Sequence, residues 1–224
     1  MTTRTVPLAT GAEARLRNEG GALATILANG GTAKSVAGTW SATSELLARE
    51  LAPRHPEIAF AEVRYRVKSW HALESCMADT EAALELAERL GARRSLLIGF
   101  SMGGAVSIGI AGHETVSGVL GLAPWIPDAL SLDGVAGKRF DVVHGAWDRW
   151  LPGIPGVSPD SSRRGFERAR ELGAVGTYTL LDRALHGAAV RGRSGELVRL
   201  PRWRAWVDQV DGALSRFAAA GAPA

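Results

Sequence analysis

The chain has 224 residues, 46 % of them apolar and 22 % charged, with 26 basic against 23 acidic side chains and a formal net charge of +3. That length suits a single α/β domain (residues 1–224) with a full core, and the balance excludes a disordered or fibrous chain. The lone cysteine, Cys76, excludes an internal disulfide, and no Cys/His cluster spells a metal site.

Only Lys34, Lys68 and Lys138 among the basic residues are lysine. The arginines are scattered among acids. The densest group, Arg163, Arg164, Arg168 and Arg170, is interleaved with Glu167 and Glu171, which reads as a solvated helix face; no nucleic-acid partner is expected. Residues 1–20 carry charges and lack an apolar core, so no secretory signal is expected, and the expected compartment is the cytoplasm. Residues 95–112 are uncharged, close to the length of a membrane span. They contain five glycines, however, and fit a buried strand–turn–helix better, so no membrane partner is expected.

Residues 22–28 form a continuous apolar run ending at Asn29-Gly30-Gly31, the pattern of a buried strand and a tight turn. A helix is predicted over 41–51, with Leu46, Leu47 and Leu51 on one face and Pro53 and Pro56 after it. Residues 58–67 read as the next strand. A long helix follows over 71–90, with Leu73, Met77, Ala83, Leu84, Ala87 and Leu90 in its stripe and Gly91 as its stop. Residues 95–100 are a short apolar strand that passes directly into a helix of small residues through Ala111. Strands are predicted over 116–123, 140–144 and 177–181, with a helix at 163–172. The last helix spans 201–219, with Pro201 in its first turn and Trp203, Trp206, Val207, Val210, Leu214 and Phe217 at 3–4 spacing. Such alternation predicts an α/β fold with a mostly parallel central sheet and helices on both faces.

Gly99-Phe100-Ser101-Met102-Gly103 fits G-x-S-x-G, placed between a strand and a helix as a nucleophile elbow requires. A sharp strand-to-helix turn strains the serine backbone and leaves no room for side chains two residues before or after it. Ser101 is then presented at a helix N-terminus, where negative charge is favoured. Serine needs a base and an acid that orients the base. Asp148, in His144-Gly145-Ala146-Trp147-Asp148, falls just past a strand's C-terminal end, with Asp160 and Asp182 as rivals. His186 is the histidine downstream of both Ser101 and Asp148. His55 and His113 are read as loop and helix-end residues, and His144 as an anchor for the loop after its strand. The oxyanion hole is assigned to the N–H groups of Met102 and Gly31, with Thr32 as a one-residue alternative. Trp40, Trp70, Trp125, Trp147 and Trp150 follow predicted strands, and Trp125, Trp147 and Trp70 are candidates for an apolar substrate wall; the alternative is that they pack loops onto the core. The stretch Thr32-Ala33-Lys34-Ser35 invites a phosphate-loop reading, but alanines occupy positions 28 and 33, where that motif needs glycine.

The ordered set NGG, GFSMGG, HGAWD and LHG, running from about Ala22 to the last helix, resembles the α/β-hydrolase superfamily. It looks most like small members such as dienelactone hydrolases and short-chain carboxylesterases. The turn after the first parallel strand reads Asn29-Gly30 where many members have His-Gly. The segment between the 116–123 and 140–144 strands is too short for a cap domain. The resemblance thus implies a lidless site unless residues 151–162 fold over it. It implies a serine hydrolase of carboxylic esters, lactones or thioesters, taking a small-molecule ester and needing no cofactor or metal. The catalytic residues would be Ser101, Asp148 and His186. Acyl transfer to an alcohol or peroxide, and a non-catalytic binding protein on the same fold, are the alternatives.

Overall fold

The computed structural model describes residues 3–148 and 157–220. Its strands are β1 (Arg4–Pro7), β2 (Glu13–Arg17), β3 (Leu23–Ala28), β4 (Val36–Ala37), β5 (Ile58–Arg64), β6 (Val67–Lys68), β7 (Arg94–Phe100), β8 (Val116–Leu122), β9 (Arg139–Gly145), β10 (Tyr178–Leu181), β11 (Ala189–Arg191) and β12 (Leu197–Arg199). The helices are α1 (Ala42–Leu51), α2 (Leu73–Arg89), α3 (Met102–Gly109), α4 (Pro159–Glu171) and α5 (Trp203–Ala219). Eight strands form one sheet in the order β1-β2-β5-β3-β7-β8-β9-β10. From β5 to β10 all neighbours are parallel, and β1 and β2 extend the sheet antiparallel.

Apolar runs in the central strands send successive side chains to opposite faces, and both faces are covered. Ile26, Leu97, Val119 and Val142 pack with Ala83 and Leu84 of α2, Met102 and Val106 of α3, and Phe166 of α4. Their neighbours Leu27, Ile98, Leu120 and Val143 pack with Leu46 and Leu47 of α1 and Trp206, Val210 and Leu214 of α5. Each such side chain contributes about 1.5–3 kcal/mol by leaving water. Gly91, in the left-handed region at φ +112°, follows α2 as its stop.

Several boundaries differ from the sequence expectation. The β1–β2 hairpin, Arg4–Pro7 and Glu13–Arg17, lies in a stretch to which the sequence reading assigned no element. In β2, Ala14 and Leu16 face the core while Arg15 and Arg17 bond to Glu45 and Glu62, so buried ion pairing hides the strand under a charged composition. The 58–67 strand breaks after Arg64, and Val67–Lys68 pairs separately with Val36–Ala37. The 163–172 helix starts earlier, at Pro159, because Ser158 accepts N–H bonds from Asp160 and Ser161 and proline suits the first turn. The final helix starts at Trp203 rather than Pro201, since Arg202 sits at φ +64°. The β11–β12 hairpin was not anticipated.

Between β8 and β9 the chain carries only a 3-10 turn at Asp133–Val135, so no cap domain is inserted there. Among the described residues no helix is long and apolar enough to cross a membrane; residues 95–112 are β7, α3 and their links.

Candidate active site

The turn from β7 to α3 is dictated by space. A Cβ on Gly99 would lie 2.2 Å from the Gly103 carbonyl oxygen, and one on Gly103 would lie 2.2 Å from that of Ala28. Between them Ser101 adopts φ +55°, ψ −119°, a conformation that costs of order 1–3 kcal/mol and persists only when its surroundings impose it. They do. The Ser101 N–H donates to the Leu122 carbonyl at 3.0 Å, and its carbonyl accepts from Gly104 and Trp125, both at 2.9 Å. The serine hydroxyl makes no capping bond to α3, so it stays free for other chemistry.

The Asn29-Gly30-Gly31-Thr32 turn leaves β3 beside this elbow. A Cβ on Gly30 would meet Ser101 Cβ at 3.4 Å, and one on Gly31 would meet Met102 Sδ at 2.2 Å. The turn is tied down by Asn29 Nδ2 donating to the Thr39 carbonyl at 2.6 Å and by Thr32 Oγ1 donating to the Lys34 and Lys68 carbonyls. Among the described residues neither the Met102 nor the Gly31 N–H has a protein acceptor. For Met102 this is the ordinary state of a first helical turn.

His186 Nδ1 lies 2.6 Å from Asp148 Oδ2. Its ring packs 4.9 Å from that of Phe100, the residue before the serine. The histidine loop is clamped by α1. Thr43 Oγ1 accepts from the N–H groups of Ala188 and Ala189 and donates to the Ala189 carbonyl. Gly187, at φ +90°, turns the chain between His186 and that clamp; a Cβ there would sit 2.6 Å from Thr43 Oγ1.

Asp148 is 2 % exposed. Burial pushes its carboxyl up, but hydrogen bonds from His144 and His186 outweigh this and hold it below the usual carboxylate range. His144, itself fully buried, bonds the Val157 carbonyl and approaches Ser162, so it does tie the following loop. Its 2.8 Å contact with Asp148 is additional, and the sequence reading missed it. The signal available was the i, i+4 spacing of His144 and Asp148.

Ser101 and His186 open on one cleft of about 400 Å³. Its walls include Gly30, Gly31, Trp40, Trp70, Lys68 and Arg191. Of the expected wall tryptophans, Trp70 lines the cleft. Trp125 does not line it and stacks on Trp70 at 6.3 Å. Trp147 is outside it, 51 % exposed. Trp150, and residues 151–156 of the stretch that could close over the site, lie outside the described residues. The rival acids and bases are elsewhere. Asp182 pairs with Arg183, Asp160 begins α4, His55 bonds Asp211, and His113 sits by Thr115 and Glu88. Cys76 lines no part of this cleft, and burial pushes its thiol up to about 11, an inert state. Among the described residues no group of three His, Cys, Asp or Glu side chains is placed to hold a metal ion.

No family model matches this sequence, and no curated protein matches it either. Solved structures do match. A sugar hydrolase (YeeB) from Lactococcus lactis superposes with TM-score 0.70 at 18 % identity, covering 96 % of this chain and 98 % of its own. The carboxylesterase Cest-2923 from Lactobacillus plantarum gives 0.67 at 15 % identity, covering 97 % of both chains. The chain has the α/β-hydrolase fold. Alpha/beta hydrolase domain-containing protein 10 from mouse extends the likeness, at TM-score 0.62 and 13 % identity over 97 % of this chain. In this fold ligands gather at the carboxyl ends of the parallel strands, and here the elbow after β7, the turn after β3 and the loop after β10 all emerge on that edge.

Proposed function

We propose that the chain is a serine hydrolase of carboxylic esters working through an acyl-enzyme on Ser101. The observation that carries this reading is the 2.6 Å His186–Asp148 bond, with His186 opening on the same cleft as a serine held at φ +55°. The His186 nitrogen remote from Asp148 takes the proton of the Ser101 hydroxyl as its oxygen attacks the ester carbonyl carbon. The proton then passes to the departing alkoxide. Water attacks the acyl-enzyme, with His186 again as base, and releases the acid. Asp148 holds the imidazole in the tautomer that accepts from serine and stabilises the imidazolium. The Met102 and Gly31 N–H groups receive the oxyanion, and the lack of an acceptor for the Gly31 N–H among the described residues supports that role. The whole chain, residues 1–224, is read as one catalytic domain using its own groups, with a small-molecule ester as substrate and the cytoplasm as its compartment. The carboxylesterase among the structural neighbours supports the ester chemistry.

The test is Ser101→Ala assayed on 4-nitrophenyl esters of increasing acyl length, alongside labelling by a fluorophosphonate probe. Loss of turnover on the order of 10⁶ and loss of labelling are expected. Near-wild-type turnover by the variant would remove Ser101 from the mechanism.

A further inference from the structure

The described residues lining the cleft include two cations, Lys68 and Arg191, and no carboxylate. Arg191 is already engaged: its guanidinium reaches the Gly195 carbonyl and the Glu45 carboxylate, which Arg15 and Arg49 also contact. Lys68 is placed differently. Its Nζ donates to Thr39 Oγ1 at 2.9 Å, and among the described residues no carboxylate oxygen lies within 4.0 Å of it. The other two lysines differ. Lys138 is spent on the Ala111, His113 and Val116 carbonyls, and Lys34 is exposed in a loop.

Burial lowers the Lys68 pKa, and no neighbouring acid opposes it. A partly desolvated ammonium without a counter-charge is a cost that an anionic ligand removes. Lys68 is also fixed relative to the reacting centre. Its carbonyl accepts from Thr32 Oγ1 at 3.0 Å, and it pairs with Val36 in the β4–β6 ladder. Thr32 directly follows Gly31, and its carbonyl accepts the Trp70 N–H at 3.0 Å. The Lys68 backbone, Trp70 and the proposed oxyanion turn therefore form one braced unit, and Thr39 holds the ammonium. A singly charged anion such as a carboxylate matches Lys68, the lining cation that has no carboxylate contact among the described residues.

The geometry points to an ester that carries a carboxylate as the substrate class, with Lys68 as the residue that binds that carboxylate. This inference rests on the serine-hydrolase reading above.

Two matched pairs of esters test it. One is 4-nitrophenyl pentanoate against the 4-nitrophenyl monoester of glutaric acid, with the carboxylate on the acyl side. The other is phenyl acetate against 4-acetoxybenzoate, with the carboxylate on the leaving side. In at least one pair the wild-type kcat/KM should favour the carboxylated ester by about tenfold or more, the range of one hydrogen bond to a charged group. Lys68→Gln should bring the ratio back toward one, and Lys68→Arg should keep it. Preference for the neutral ester in both pairs, or a carboxylate preference that survives in Lys68→Gln, overturns the inference. Neutral-ester hydrolysis without a carboxylate preference sinks this inference alone. Absence of hydrolysis of every ester, with Ser101 unlabelled by fluorophosphonate, sinks the hydrolase reading and this one with it.

Discussion

His144 Nε2 lies 2.8 Å from Asp148 Oδ2, the same oxygen that sits 2.6 Å from His186 Nδ1. Two acceptors face His144 Nε2, this carboxylate and the Val157 carbonyl at 3.0 Å, so the proton sits on that nitrogen. Ser162 then donates to His144 Nδ1 at 2.7 Å, and Tyr178 donates to the Pro159 carbonyl at 2.7 Å. Asp148 is thereby anchored by a second histidine that does not line the cleft.

His144→Ala removes one of two donors that a buried carboxylate has among the described residues, while the Ser162 hydroxyl can turn to the Pro159 carbonyl at 3.0 Å. A stability loss of about 1.5–3 kcal/mol is expected, in the range for hydrogen bonds to charged groups. Urea unfolding measures it. A midpoint equal to wild type would mean that the contact contributes nothing.

Asp148→Asn keeps the shape but offers His186 an amide in place of a charge. Turnover should fall by about 10⁴ while the far-ultraviolet spectrum stays unchanged. Activity within tenfold of wild type would take Asp148 out of its proposed role.

Gly103→Ala places a methyl where the Ala28 carbonyl stands, 2.2 Å away. Backbone cannot yield as a flexible side chain can, so the variant should lose about 1–3 kcal/mol or fail to fold. Thermal unfolding decides it. An unchanged Tm would show that the elbow has slack the structure does not contain.

Stability should fall in acid. Asp141 is buried at the end of the sheet away from the cleft. Burial raises its pKa, but hydrogen bonds from Arg139 and Thr177 outweigh this and hold it below its ordinary value. A carboxylate with a depressed folded pKa contributes stability that is fully present above the unfolded value of about 3.9 and is lost as pH falls through the folded one. Asp141→Asn should therefore show a smaller difference in unfolding free energy between pH 7 and pH 3 than the wild type. Equal differences would contradict the assignment.

The central strands and the elbow were legible because their causes are local. Ile26 to Ala28, Leu96 to Ile98 and Val119 to Leu120 are apolar on both faces, and Gly99 and Gly103 mark a turn that only glycine fits. The β1–β2 hairpin was not legible. Arg15 and Arg17 look solvent-bound until Glu62, 45 residues from Arg17, supplies their partner. His186 could be placed in chain order after Asp148. Its clamp could not, because Thr43 comes from a helix about 145 residues earlier. Lys68 was hidden for another reason, since its significance depends on which acids are absent around it among the described residues.

One hydroxyl on the first turn of α1 grips both sides of the backbone just beyond His186. The imidazole thus acquires its bearing when the chain folds and not when a ligand arrives. On the proposed mechanism, free and acylated forms should superpose closely at this loop, and affinity gained from an ester would be left for the reacting carbonyl instead of being spent on assembling the base.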